Sequence, residues 1–134
     1  MSNTHVTYLV GACSAVLALA VSAPAYAADL YSSALYSGAA GNTLYCTVLN
    51  SGTTNIKVTI RIFEIAPSSD TNTHGVIETC VATVGPRGTV GCWHGTAFYN
   101  LAYCRVITSN AANTEAAFSV LDGSYQTTAT SIPR

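Results

Sequence analysis

Between residues 56 and 65 apolar and polar side chains alternate with a period of two: Ile56, Val58, Ile60 and Ile62 against Lys57, Thr59 and Arg61. Only an extended strand sends successive side chains to opposite sides, so the pattern requires a sheet with one face turned to a core. Phe63 and Ile65 continue the polar side as apolar residues, so the far end of that second face is expected to be covered too. Whatever else this chain does, it must fold around a β-sheet.

The remaining segments repeat the theme. Residues 43–50 alternate and stop at Asn50-Ser51-Gly52. Residues 76–84 and 89–94 flank Gly85-Pro86-Arg87-Gly88, a turn signal that predicts a hairpin. Residues 102–108 and 116–121 read as further strands, the latter with Phe118 and Val120 on one face and Asp122-Gly123 as the turn that follows. Residues 30–36 form a first strand or an extended arm, and the Thr-rich tail from Tyr125 to Arg134 adds an edge strand or stays loose. Residues 66–75 make the longest polar loop, with Pro67, Ser68, Ser69, Asp70, Thr71 and Asn72. No helical period follows the leader. Six or seven short antiparallel strands predict an all-β, two-sheet sandwich, with a small barrel as the alternative.

The N-terminus is a different kind of segment. Residues 6–21 are mostly apolar, the length of a signal-peptide core and short for a spanning helix. Pro24 breaks the run, and Ala25-Tyr26-Ala27 places small residues where signal peptidase reads them. The expectation is a cleaved leader over 1–27 and a single domain over 28–134. The leader lacks Lys and Arg before its core; a buried helix is the competing reading. Val10-Gly11-Ala12-Cys13 loosely resembles a lipoprotein box, though the residues after Cys13 are apolar rather than a polar tether.

Removing the leader leaves Cys46, Cys80, Cys92 and Cys104. An even count in an exported chain reads as a disulfide framework, and four cysteines allow three pairings. If the turn at 85–88 closes a hairpin, Cys80 and Cys92 come nearly opposite each other, which leaves Cys46 with Cys104. The sequences Leu44-Tyr45-Cys46-Thr47-Val48 and Ala102-Tyr103-Cys104-Arg105-Val106 set both cysteines at one strand phase. A four-cysteine zinc site would use close knuckles, and no close pair occurs.

The L-x-C-x-V-x-N pattern at 44–50, Ala102-Tyr103-Cys104-Arg105-Val106 and the Ile132-Pro133-Arg134 ending resemble a group of small secreted bacterial β-sandwich proteins with no assigned function. The resemblance implies export and a sandwich fold, and no activity.

Charge excludes several roles. Lys and Arg number 5, Asp and Glu 6, and the net charge is −1, so nothing draws the chain electrostatically to nucleic acid or an anionic membrane. Serines are abundant, but none sits in a G-x-S-x-G elbow, and the acids are scattered. His74 with Asp70, Glu78 and His94 could in principle gather a metal, but polar loop and strand-end roles explain them. The expectation is a non-enzymatic protein with no cofactor and no metal.

Two groups of residues remain. Trp93, His94, Phe98, Tyr99 and Tyr103 crowd near one end of the expected hairpin. The favoured reading packs Trp93 over a disulfide in the core; the other exposes it, with His94, Phe98 and Tyr99, as a binding surface. Leu30, Tyr31, Leu35 and Tyr36 lie in the weakly charged arm, which could add to a neighbour's sheet edge. The first functional expectation is therefore a secreted structural or self-assembling protein. The alternative is a monomeric extracellular module that binds carbohydrate, protein or a cell surface.

Overall fold

Alternation decides which residues meet. In the computed structural model, which describes residues 27–38, 40–66, 73–96 and 101–134, Leu44, Cys46, Val48 and Asn50 are buried while Thr43, Tyr45, Thr47 and Leu49 are half-buried on the other side of the same strand. Ile56, Val58, Ile60 and Ile62 are buried in the same way, as their pattern requires. Each such side chain contributes about 1.5–3 kcal/mol by leaving water. Together with Val84, Ala102, Val106, Phe118 and Val120 they form one core between two sheets. The leader before Ala27, the polar loop at 67–72 and Phe98 and Tyr99 lie outside the described residues.

The strands are β1 (Ala28–Tyr31), β2 (Leu35–Tyr36), β3 (Thr43–Asn50), β4 (Ile56–Ala66), β5 (Thr73–Val84), β6 (Thr89–Gly95), β7 (Leu101–Thr108), β8 (Thr114–Leu121) and β9 (Thr127–Ser131). A short 3₁₀ turn, Ala111–Asn113, joins β7 to β8. The first sheet has the order β1-β7-β4-β5, with β2 also on β7; the second has the order β6-β3-β8-β9. All pairings are antiparallel. The chain is thus the expected sandwich, with the arm and the Thr-rich tail supplying strands beyond the six or seven anticipated.

The expected hairpin at 85–88 is overturned. β5 pairs with β4 in one sheet and β6 with β3 in the other, so the turn arches from sheet to sheet. Cys80 and Cys92 are nevertheless bonded, 5.8 Å apart at Cα, because the arch brings the two strands face to face across the core edge. Cys46 and Cys104 form the second bridge, also from sheet to sheet, with Cα atoms 6.2 Å apart. Cys46 and Cys92 are register partners on β3 and β6. On the opposite sheet Cys80 lies beside Ile60 and Cys104 beside Ile62, so the bridges stand on either side of β4.

A buried amide ties the ends of the strands together. The Asn50 Nδ2 donates to the carbonyls of Thr54 at 2.7 Å, Val84 at 3.0 Å and Gly85 at 3.0 Å. Its Oδ1 accepts from the Gly52 amide at 3.0 Å. One side chain therefore holds the β3–β4 turn against the start of the β5–β6 arch.

Candidate functional site

The outer face of the second sheet follows from the phase of its strands. Because Cys92 faces the core, Trp93 must face out, and among the described residues β6 is the edge strand of its sheet. Trp93 is 65% exposed. This corrects the expectation that it packs over a disulfide: the bridge lies beneath the sheet and the indole above it. Tyr45 on β3 is the register partner of Trp93 on one side and of Ser119 on β8 on the other. Thr43 lies between Gly95 and Leu121, and Thr47 between Gly91 and Ala117.

The third aromatic arrives from a turn. The Asp122 carboxylate accepts from the amides of Ser124 at 2.8 Å and Gln126 at 2.9 Å, and its carbonyl accepts from the Tyr125 amide at 2.8 Å. These bonds hold Tyr125 at φ +60°, a left-handed conformation that costs a non-glycine residue roughly 1–2 kcal/mol. The ring it presents is 76% exposed. Trp93, Tyr45 and Tyr125 rim a hollow of about 350 Å³ with Thr43 and Leu121. On the other side of Tyr45 a shallow trough of about 650 Å³ continues over Thr47, Leu49, Gly91 and Ala117 to Ile132. Among the described residues Glu115 is the one acidic or basic side chain lining either.

His94 and Glu78 meet at the sandwich edge, Nδ1 to Oε2 at 3.6 Å, beside a further hollow that shares Trp93. Glu78 also lies near Cys80 and Cys92, but both sulfurs are spent in a disulfide, and this is no thiolate metal set. Asp70 is outside the described residues, and His74 sits on β5.

The first sheet's outer face is differently built. Phe63 stacks on Tyr103 with centroids 4.7 Å apart, and Tyr31 lies 6.5 Å from Tyr103. The Arg105 guanidinium sits 5.3 Å over the Tyr31 ring and grips Asp29 with two hydrogen bonds. Those bonds hold the Asp29 carboxyl below its ordinary pKa and raise that of Arg105, while burial pushes the Tyr103 phenol up. Tyr103, grouped with Trp93 by sequence, thus belongs to the opposite face, where its ring is engaged within the molecule.

The arm is likewise engaged. Leu30 and Tyr31 pair with β7, Leu30 and Leu35 pack against the core, and Tyr36 lies opposite Leu101. Beyond β1, the Tyr31 and Arg134 backbones exchange hydrogen bonds of 3.0 and 3.1 Å, and the Ser33 amide donates to the Ser131 hydroxyl at 2.9 Å. The Ile132-Pro133-Arg134 ending therefore runs beside the end of β1.

Tyr45, Gly91 and Tyr125 were not singled out by sequence. A glycine inside a strand is a known sign of close approach, and Gly91 was such a sign. Comparison with known proteins finds no matching family model, no similar curated protein and no similar solved structure. The fold and the aromatic face define the class by themselves: a disulfide-bridged β-sandwich with an aromatic groove on one sheet.

Proposed function

We propose that this protein is a non-catalytic extracellular binding module whose ligand is an uncharged carbohydrate. One observation carries the reading: Trp93, Tyr45 and Tyr125 converge on one open hollow whose walls are hydroxyls and aliphatic groups. The C–H face of a pyranose stacks on such rings, and a hollow lined by no acidic or basic side chain among the described residues suits a neutral sugar better than an ion. Stacking would supply the affinity and Thr43 a hydroxyl for hydrogen bonding.

Self-assembly through the arm, the other functional expectation, has less support. The backbones of Leu30, Tyr31, Leu35 and Tyr36 already pair with β7, and Tyr31 at the end of β1 also pairs with Arg134. Two disulfides fit an oxidising compartment, and no described helix is long and apolar enough to cross a membrane. Export by cleavage after Ala27, as in the secreted proteins that the strand motifs resemble, completes the proposal.

The test is binding of the purified domain to neutral polysaccharides (cellulose, chitin, xylan) with Trp93→Ala as control. The exposed indole can be removed without unfolding, so the variant should keep its melting temperature and lose at least about tenfold in affinity. A wild-type domain that binds none of these, or a variant that binds as well as wild type, overturns the proposal.

A further inference from the structure

Gly91 sits within β6, and its position against Tyr45 is unusually close. A Cβ built there would overlap the Tyr45 hydroxyl and stand 2.7 Å from two ring carbons. No Cβ tolerates such a contact, so the outer half of the ring occupies the space that a side chain at 91 would take. The ring therefore reaches diagonally from β3 to lie over Gly91 on β6, whose register partner is Thr47. Tyr45 and Trp93 are register partners, so they rise from the same face of adjacent strands, about 4.5–5.5 Å apart at Cα, and both line the hollow. Tyr45 also lines both the hollow beside Trp93 and the trough that runs on toward Ile132.

Resting on the carbohydrate reading above, we infer that Tyr45 is a second stacking subsite, that Gly91 is the residue that positions it, and that the ligand is a chain of sugars, not a single one. The chemistry that fits is a flat, uncharged β-1,4-linked pyranose chain. Equatorial linkages keep successive rings nearly coplanar, so adjacent units can meet Trp93 and Tyr45 while the next enters the trough. Glucose and N-acetylglucosamine chains share this shape, and the trough walls decide between them.

The experiment is calorimetric titration with glucose and N-acetylglucosamine β-1,4 oligomers of one to four units. For the wild type, affinity should rise at least about tenfold from one unit to three. In Gly91→Ala the added methyl lifts the ring, and the gain in affinity with chain length should disappear. Tyr45→Ala should abolish the same gain and also weaken single-unit binding, because Tyr45 shares the hollow with Trp93. In the double variant Gly91→Ala should have no further effect, because it acts only through the Tyr45 ring. A purely structural glycine would lower the melting temperature without touching chain-length dependence, and that result overturns the inference. Should Gly91→Ala fail to fold, Tyr45→Ala decides, since it only removes atoms above the sheet. Oligomers that bind no better than one unit would sink the inference and leave the Trp93 site standing. Binding of no sugar at all would sink both.

Discussion

Replacing Asn50 by Ala should be among the most damaging single changes in this fold. The side chain is 0% exposed and makes four hydrogen bonds at one point of the core's edge. The Thr54 and Gly85 carbonyls are partly open and can turn to water when the amide goes. The Val84 carbonyl is bonded to Asn50 in a buried setting, and so is the Gly52 amide. Each buried group left without a partner costs roughly 1–3 kcal/mol, so the loss should be about 2–6 kcal/mol. That is a large share of a small domain's stability, typically about 5–15 kcal/mol. Urea unfolding of the oxidised protein measures it, with a lower midpoint and an unchanged slope. Asn50→Asp adds a check on the cause. It keeps the acceptor for Gly52 but aims a carboxylate at three carbonyls, which raises its pKa in the folded state. Its stability should therefore be greatest below the unfolded carboxyl pKa and fall as pH rises through the folded one. A loss below about 0.5 kcal/mol for Asn50→Ala would refute the hub reasoning, since that is the level of ordinary surface substitutions.

Tyr125→Gly should separate stability from binding: it relieves a left-handed tyrosine, for a gain of up to about 1 kcal/mol, yet removes the rim ring, so the melting temperature should hold or rise while sugar affinity falls. Asp29→Asn should cost little at neutral pH because the pair with Arg105 lies at the surface and is partly screened by solvent. Since the folded Asp29 pKa lies below its ordinary 3.8, the difference from wild type should be present above that pH and close as pH falls through the folded value; a gap that persists at low pH would assign it to packing.

Much of the fold was legible because period-two patterning is a local signal. β3, β4 and β7 have the faces their residues announce, and the buried set Ile56, Val58, Ile60 and Ile62 follows from phase alone. The partner of β6 was not legible. A four-residue turn such as 85–88 can close a hairpin within one sheet or arch between two, and both bring Cys80 close to Cys92. The choice is made by the long-range register of β6 with β3, which no local pattern encodes. The exposure of Trp93, by contrast, was within reach: if Cys92 faces the core, its strand neighbour cannot. The same step applied to Cys46 would have found Tyr45. Asn50 read as a turn residue because Ser51 and Gly52 follow it, although it shares the phase of Val48 and so had to point inward.

That phase relation also explains why the groove can be rigid although half of it lies on an edge strand. Edge strands fray, and a stacking surface that moves loses affinity to the entropy of ordering it. Here Tyr45 adjoins Cys46 and Trp93 adjoins Cys92, and the two cysteines are themselves register partners. Both of these aromatics are one residue from a cystine that faces the core, and each cystine reaches the opposite sheet. The strands under the rings are thus held by covalent bonds from below, while Gly91 fixes the tilt of one ring from beside it. A small core with few charges needs such bridges for stability in any case. Their placement directly under Tyr45 and Trp93, instead of elsewhere in the sandwich, is what lets the same two bonds stabilise the fold and preorganise the surface.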